Sequence, residues 1–562
     1  MSNNTQSRIT RRAALTLGGA VALVPVTGRA QTPGLLMAGG PIYTGQKDSK
    51  SGNAERVEAV AMRGGRIVFA GSLAGAKHAA PGAKAIDLAG AAAYPGFVDS
   101  HAHLTEIGLR EMTLNLEGAA SIADLQSRLR AWATTTQPAG PILGRGWIET
   151  HWPEQRFPTR ADIDAVVSDR PVYLTRADGH AGVANSAAIA FAGVTASTAA
   201  PAGGEILRDA KGEPAGLFVD NAMALVEAKF AKPGPAMLRE ALIRADKLYR
   251  SRGWTGVHNV SVFQDDLDIL RDLARGDDWG LRVDNYMDPL GAAEVLRTGP
   301  SVDGSGKIRL RGIKLYADGA LGSRGAALLA PYDDKPGWTG LLRTPQAEII
   351  DWMRKAKAVN GQVAIHAIGD RGNRLALDAM QTVLGAAHTD RRWRVEHAQT
   401  LSPADLPRFA AMGVIASMQP SHAIGDLYFA PARLGAERLK GAYAWNSLLK
   451  SGAVVCGGSD APVEKGDPLV EFYAASYRHA LNGFAGPDWG LGEAVTRVQA
   501  LSMFTASAAY AIGRERELGT LEVGKRADMT VFSHDLMSVP FADIPGAQAK
   551  MTVIAGRVVH GG

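Results

Sequence analysis

Between about residues 93 and 457, short apolar runs alternate with longer amphipathic stretches. The runs are Ala93 to Val98, Val172 to Thr175, Thr255 to Val260, Ile308 to Tyr316, Gln362 to His366, Trp393 to His397, Gly413 to Met418 and Ala453 to Gly457. Each is short and nearly continuous in its apolar residues, the pattern of strands covered on both faces. Ala236 to Arg250, Pro345 to Asn360 and Arg371 to Leu384 instead carry apolar residues at helical spacing. Strand and helix alternating about eight times predict an α/β fold, a closed parallel (β/α)8 TIM barrel over residues 95–512. Residues 140–235 exceed one β/α unit and are rich in Gly, Ala and Pro, so they read as an insertion over the barrel mouth.

The two ends have another texture. Ala59 to Met62 and Arg66 to Ala70 alternate around the turn Arg63-Gly64-Gly65. Ala527 to Phe532 and Met551 to Val559 read as strands as well. The expectation is one small β-sandwich built from both termini, residues 31–94 and 513–562. Ahead of it, Thr10-Arg11-Arg12 precedes the apolar stretch Ala13 to Val26, and small residues surround a cleavage point after Ala30. That is the layout of a signal peptide over residues 1–30, with the paired arginines of the twin-arginine route. A periplasmic or secreted protein is expected, with no stable membrane span once the signal is removed.

Charge narrows the partners. A net charge of +5 over 562 residues is small, and no Lys/Arg-rich run is interleaved with aromatics. Nucleic acid and membrane surfaces are therefore poor candidates. Cys456 is the only cysteine, so no intrachain disulfide forms, and its apolar setting reads as a core strand.

The chemistry lies at the strand ends, where a barrel places its active site. The first strand ends in "PGFVDSHAHL", Pro95 to Leu104, and residues two apart on a strand share a face. His101 and His103 alone are as readily core histidines as ligands. Later strands end in His366, in Glu396-His397 and in Gly457-Gly458-Ser459-Asp460, and Lys314 lies within another. Each has an ordinary alternative: a structural histidine, a helix N-cap for Asp460, an ion pair of Lys314 with Asp318. Together, four imidazoles and a carboxylate in barrel order suit zinc or a similar divalent ion. A lysine in an apolar strand must be neutral, paired or modified. Glu396 points away from His397 and reads as structural.

Here the chain resembles the YtcJ-like (amidohydrolase 3) branch of the amidohydrolase superfamily. The blocks "GRGWIETHWPEQRFPTRADIDAV", "DRPVYLTRADGHAGVANSAAI", "GIKLYADGALGSRGAALLAPY", "AIHAIGD", "RVEHAQ", "GGSDAPV" and "LEVGKRADMTVF" follow "PGFVDSHAHL" in the branch's order. The resemblance implies a metal-dependent hydrolase holding one or two divalent ions, zinc foremost. His101, His103 and Asp460 would bind the more buried ion, and His366 and His397 the second. Lys314 aligns with the lysine that relatives often carboxylate to bridge two ions. Asp460 would also pass a proton from water to the leaving group. His180 and Arg324 are candidates for substrate orientation, and Trp147, Trp152, Phe218 and Trp445 for the pocket wall. The reaction expected is hydrolysis of an amide, N-acyl or formamide C–N bond. Carbamate or ester hydrolysis, heterocycle deamination, isomerisation and a non-catalytic exported binding protein remain as alternatives. Barrels of this kind often pair, which leaves a homodimer open.

Overall fold

In the computed structural model, eight parallel strands form the central sheet: β1 (Phe97–Ala102), β2 (Trp254–Val262), β3 (Arg282–Met287), β4 (Ile308–Tyr316), β5 (Gln362–Ala367), β6 (Arg394–His397), β7 (Ile415–Met418) and β8 (Val455–Gly457). The structure describes residues 34–47, 52–135, 140–385, 390–486 and 489–561, so the signal-peptide reading of residues 1–30 lies outside it. Among the described residues no helix is long and apolar enough to cross a membrane.

The barrel closes almost completely between β8 and β1. The Asp460 amide donates to the His101 carbonyl at 2.7 Å, and the His103 amide donates to the Ala461 carbonyl at 2.9 Å. A Cβ on Gly458 would lie 2.4 Å from the His101 nitrogen, so only glycine lets the strands approach this closely. The seam therefore brings Asp460 against the histidines of β1.

One of the expected strands needs correction, and one barrel strand was not expected. Val172–Arg176 belongs to a separate six-stranded sheet whose strands run from Leu114 to Asp220. Its place in the barrel is taken by β3, where Arg282, Asp284 and Asn285 are all buried. Polar side chains can fill a barrel interior when they find partners there. Asn285 accepts from Asn259 at 3.0 Å, and Arg282 pairs with Asp528. The run consequently lacks the apolar signature of a buried strand.

Both termini join one sheet of eight strands, in which Ala92–Pro95 lies antiparallel to Met529–Phe532. Phe97, Trp254, Phe504 and Phe532 cluster at the junction with the barrel, Phe97 stacked on Phe504 and edge-on to Phe532. Each such side chain contributes about 1.5–3 kcal/mol by leaving water. The helix Pro235–Arg252 ends at Gly253, whose φ of 101° is the left-handed stop that returns the chain into β2.

Candidate metal centre

At the C-terminal mouth of the barrel, the Nε2 atoms of His101 and His103 each lie 3.2 Å from Asp460 Oδ1. His422 approaches the other oxygen, Nε2 to Oδ2 at 3.7 Å. Two groups with ligand atoms within 4.8 Å of one another result: His101, His103 and Asp460, and His397, His422 and Asp460. Asp460 is the shared corner. The His366 ring lies 4.5 Å from that of His397, and Lys314 Nζ lies 3.4 Å from His101 Nε2.

The local backbone is strained where it aims these groups. Asp460 and His397 have φ values of 58° and 72°, a region costly for residues other than glycine and concentrated at functional sites. Asp99, buried below, accepts from the His101 and Ser459 amides, the Ser459 hydroxyl and Tyr249, and so ties β1 to β8. Burial pushes its carboxyl up to about 6 against those hydrogen bonds.

His101 and His397 are oriented through their second ring nitrogens, an arrangement typical of histidines that hold metal. His101 Nδ1 contacts Glu396 at 2.5 Å, and His397 Nδ1 contacts the Gln419 side-chain oxygen at 2.8 Å. Glu396 is clamped by Arg394, which also reaches Ser100, Ser417 and His258. Burial lowers His366 and His397 well below the usual histidine range and lowers His103 and His422 as well. They are therefore neutral, the form that donates a lone pair to an ion. Burial would raise Asp460, but the neighbouring His101 overrides it and keeps the carboxylate well below its ordinary value. Among the described residues the buried His422 Nε2 has no hydrogen-bond partner. Neutral imidazoles, an ionised carboxylate and an orphaned ring nitrogen together fit a divalent ion.

Lys314 is buried, and its amine is drawn down to about 8 by desolvation against the pull of Glu396 and Asp460. The alternative pairing with Asp318 is not what the structure shows. Asp318 instead accepts from the Ala327, Ile368 and Gly369 amides and shapes the loop beside His366.

His180 comes from the inserted sheet, not the barrel. Its ring lies 5.1 Å from that of His366, and its Nδ1 contacts Asp220 at 2.6 Å. His180, His366, His397, His422 and Asp460 line one cavity of about 60 Å³. Sequence reasoning missed His422, one helical turn beyond β7 in Pro420–Asp426. A histidine just past a strand end, in "SMQPSH", was the available signal.

The aromatic wall is a correction. Trp147 and Trp152 pack into the core of the inserted sheet and donate to the Leu174 and Ala119 carbonyls. Phe218 lies in a neighbouring core, and Trp445 is buried in the barrel core under Arg478. None borders the cavity, because each is large and apolar enough to be drawn inside. Arg324 does not border it either, since it forms a two-pronged pair with Asp334. Trp147→Ala is expected to destabilise the protein by about 3–5 kcal/mol while leaving bound metal per folded chain unchanged. A thermal melt and metal analysis of the soluble fraction check this.

The comparisons with known proteins agree with this chemistry. A model of the amidohydrolase family matches residues 84–560. YtcJ of Bacillus subtilis is 32% identical over 534 residues, covering 93% of this chain and 98% of its own. The N-substituted formamide deformylase of Arthrobacter pascens is 28% identical over 533 residues, 89% of this chain and 94% of that one. An uncharacterized metal-dependent hydrolase from Pyrococcus horikoshii OT3 superposes with a TM-score of 0.73 at 27% identity, over 90% of this chain and 99% of that one. With a histidine- and aspartate-lined barrel mouth and a match along most of its length, the chain belongs to the amidohydrolase family, as a metal-dependent hydrolase.

Proposed function

We propose that the protein hydrolyses the C–N bond of a small N-acyl amine, foremost an N-substituted formamide, in the periplasm or outside the cell. The observation that carries this reading is Asp460, an ionised carboxylate shared by two groups of imidazoles. The name of the Arthrobacter pascens relative supports the formamide class, and the paired arginines at the N-terminus support export. His101, His103, His397, His422 and Asp460 would hold the ions, with His366 beside them, and zinc suits the donor set. Lys314, buried 3.4 Å from His101, would be the lysine that the family resemblance implies is carboxylated. A divalent ion there supplies Lewis acidity, which polarises an acyl carbonyl and acidifies water.

The protein's own groups manage the protons. One water is consumed: its oxygen bonds to the acyl carbon, the C–N bond breaks, and a proton ends on the leaving nitrogen. Asp460 accepts that proton and returns it to the amine. His180, fixed by Asp220, faces the same cavity and steadies the oxygen on which negative charge develops.

Dialysis against a chelator is expected to lower formate release from N-methylformamide at least a hundredfold, with recovery on adding zinc. Metal analysis of active protein should give about one or two equivalents per chain, as the donor set allows. Full activity in protein shown to be free of metal would end the proposal.

A further inference from the structure

We propose that a second cavity, beside His103, is the subsite for an alkyl group on the substrate nitrogen. This rests on the hydrolytic reading above. The cavity has a volume of about 380 Å³, and His103 forms part of its wall, 3.2 Å from Asp460. Leu104, Leu109, Leu238, Val262 and Phe263 line it. Phe263 is 47% exposed, a large apolar surface left uncovered by the described residues.

Size divides the substrate between the two spaces. At about 10–15 Å³ per water, the 60 Å³ cavity at Asp460 holds only about four to six small groups. That admits a formyl or acetyl group and excludes a long acyl chain. The apolar space is the one suited to a hydrocarbon chain, since the neighbouring cavity of about 510 Å³ beside Asp220 is lined by Arg110, Arg145, Glu227 and Arg343. Charge determines which side of the amide it takes. Glu106, Asp265 and Asp266 border this cavity against one ammonium group, Lys232. Even with Glu106 paired to Arg145, the balance is acidic. An acidic border attracts an amine that becomes ammonium on release and repels a fatty carboxylate. The long group is therefore on nitrogen and leaves as a primary alkylamine.

N-Hexylformamide and heptanamide are isomers that place the same chain on opposite sides of the amide, which makes them the test. The metal-loaded enzyme is expected to favour N-hexylformamide at least tenfold in kcat/KM. From N-methyl to N-hexyl, kcat/KM should rise by up to about fourfold per methylene. In Leu238→Trp, which fills the cavity from the helix Pro235–Arg252, the hexyl-to-methyl ratio should fall at least tenfold. Circular dichroism confirms the fold, and calorimetric titration with hexylammonium gives a readout without turnover. Both formamides turned over with an unchanged ratio in the variant overturns the subsite alone, as does a preference for heptanamide. No hydrolysis of any amide, with hexylammonium binding lost in the variant, overturns the hydrolytic reading and keeps the alkyl site. No hydrolysis and equal binding by both proteins overturns both.

Discussion

Asp460→Asn is expected to lower kcat by about 10³–10⁴-fold, near the upper end for loss of a positioned acid–base group. That corresponds to about 4–5.5 kcal/mol of barrel-mouth chemistry at 1.36 kcal/mol per tenfold. Asparagine is the informative replacement for a conformational reason. Position 460 has a φ of 58°, which Asn and Asp tolerate far better than other side chains. Alanine would add backbone strain to the loss of the carboxylate, and the two effects would be confounded. Asparagine keeps one oxygen toward His101 and His103 but cannot accept a proton at neutral pH. Metal analysis separates the roles: most of the metal retained with turnover lost identifies proton transfer, and metal lost with it identifies coordination. Turnover within tenfold of the wild type would remove Asp460 from the mechanism.

The prediction also shows which parts of the site were legible in the sequence. His101 and His103 are two residues apart on one strand, so strand parity alone placed them on one face. Asp460 follows three small residues, and Gly458 turned out to be the close approach that seats it. His422 was hidden because its contact with Asp460 depends on how β7 and β8 close the barrel. The third barrel strand was hidden by Arg282, Asp284 and Asn285, polar residues that meet their partners Asp528, Arg309 and Asn259 only after folding. The tryptophans misled in the opposite sense: loop composition suggested a pocket wall, whereas burial of their area drew them into cores. Seven of the eight barrel strands and their order were readable, because that pattern depends on local apolar runs. The polar interior was not, because its partners are distant in the chain.

Glu396 is the clearest case of such a partner and the basis of the second large effect. Strand parity placed it opposite His397, but its contact with His101 spans 295 residues. Arg394→Met is expected to cost about 3–5 kcal/mol, the usual penalty for leaving one buried charge without its partner. Arg394 and Glu396 are both fully buried. Burial alone would raise Glu396; the Arg394 charge, then His101, hold it well below its ordinary value of 4.5. Its contribution to stability is therefore complete above about pH 4.5 and is lost as pH falls through its own lowered value. Glu396→Gln keeps an acceptor for the His101 ring nitrogen but removes the charge, so metal affinity should fall about 10–100-fold. The stability advantage of the wild type over Glu396→Gln should be flat above pH 4.5 and shrink in more acidic solution. Combining Arg394→Met with Glu396→Gln should cost less than the sum of the two, since the second change removes the charge stranded by the first. Chemical denaturation of the metal-free proteins measures all three. A loss below about 1 kcal/mol in Arg394→Met, the scale of an exposed pair, would show that this pair does not hold the floor of the site.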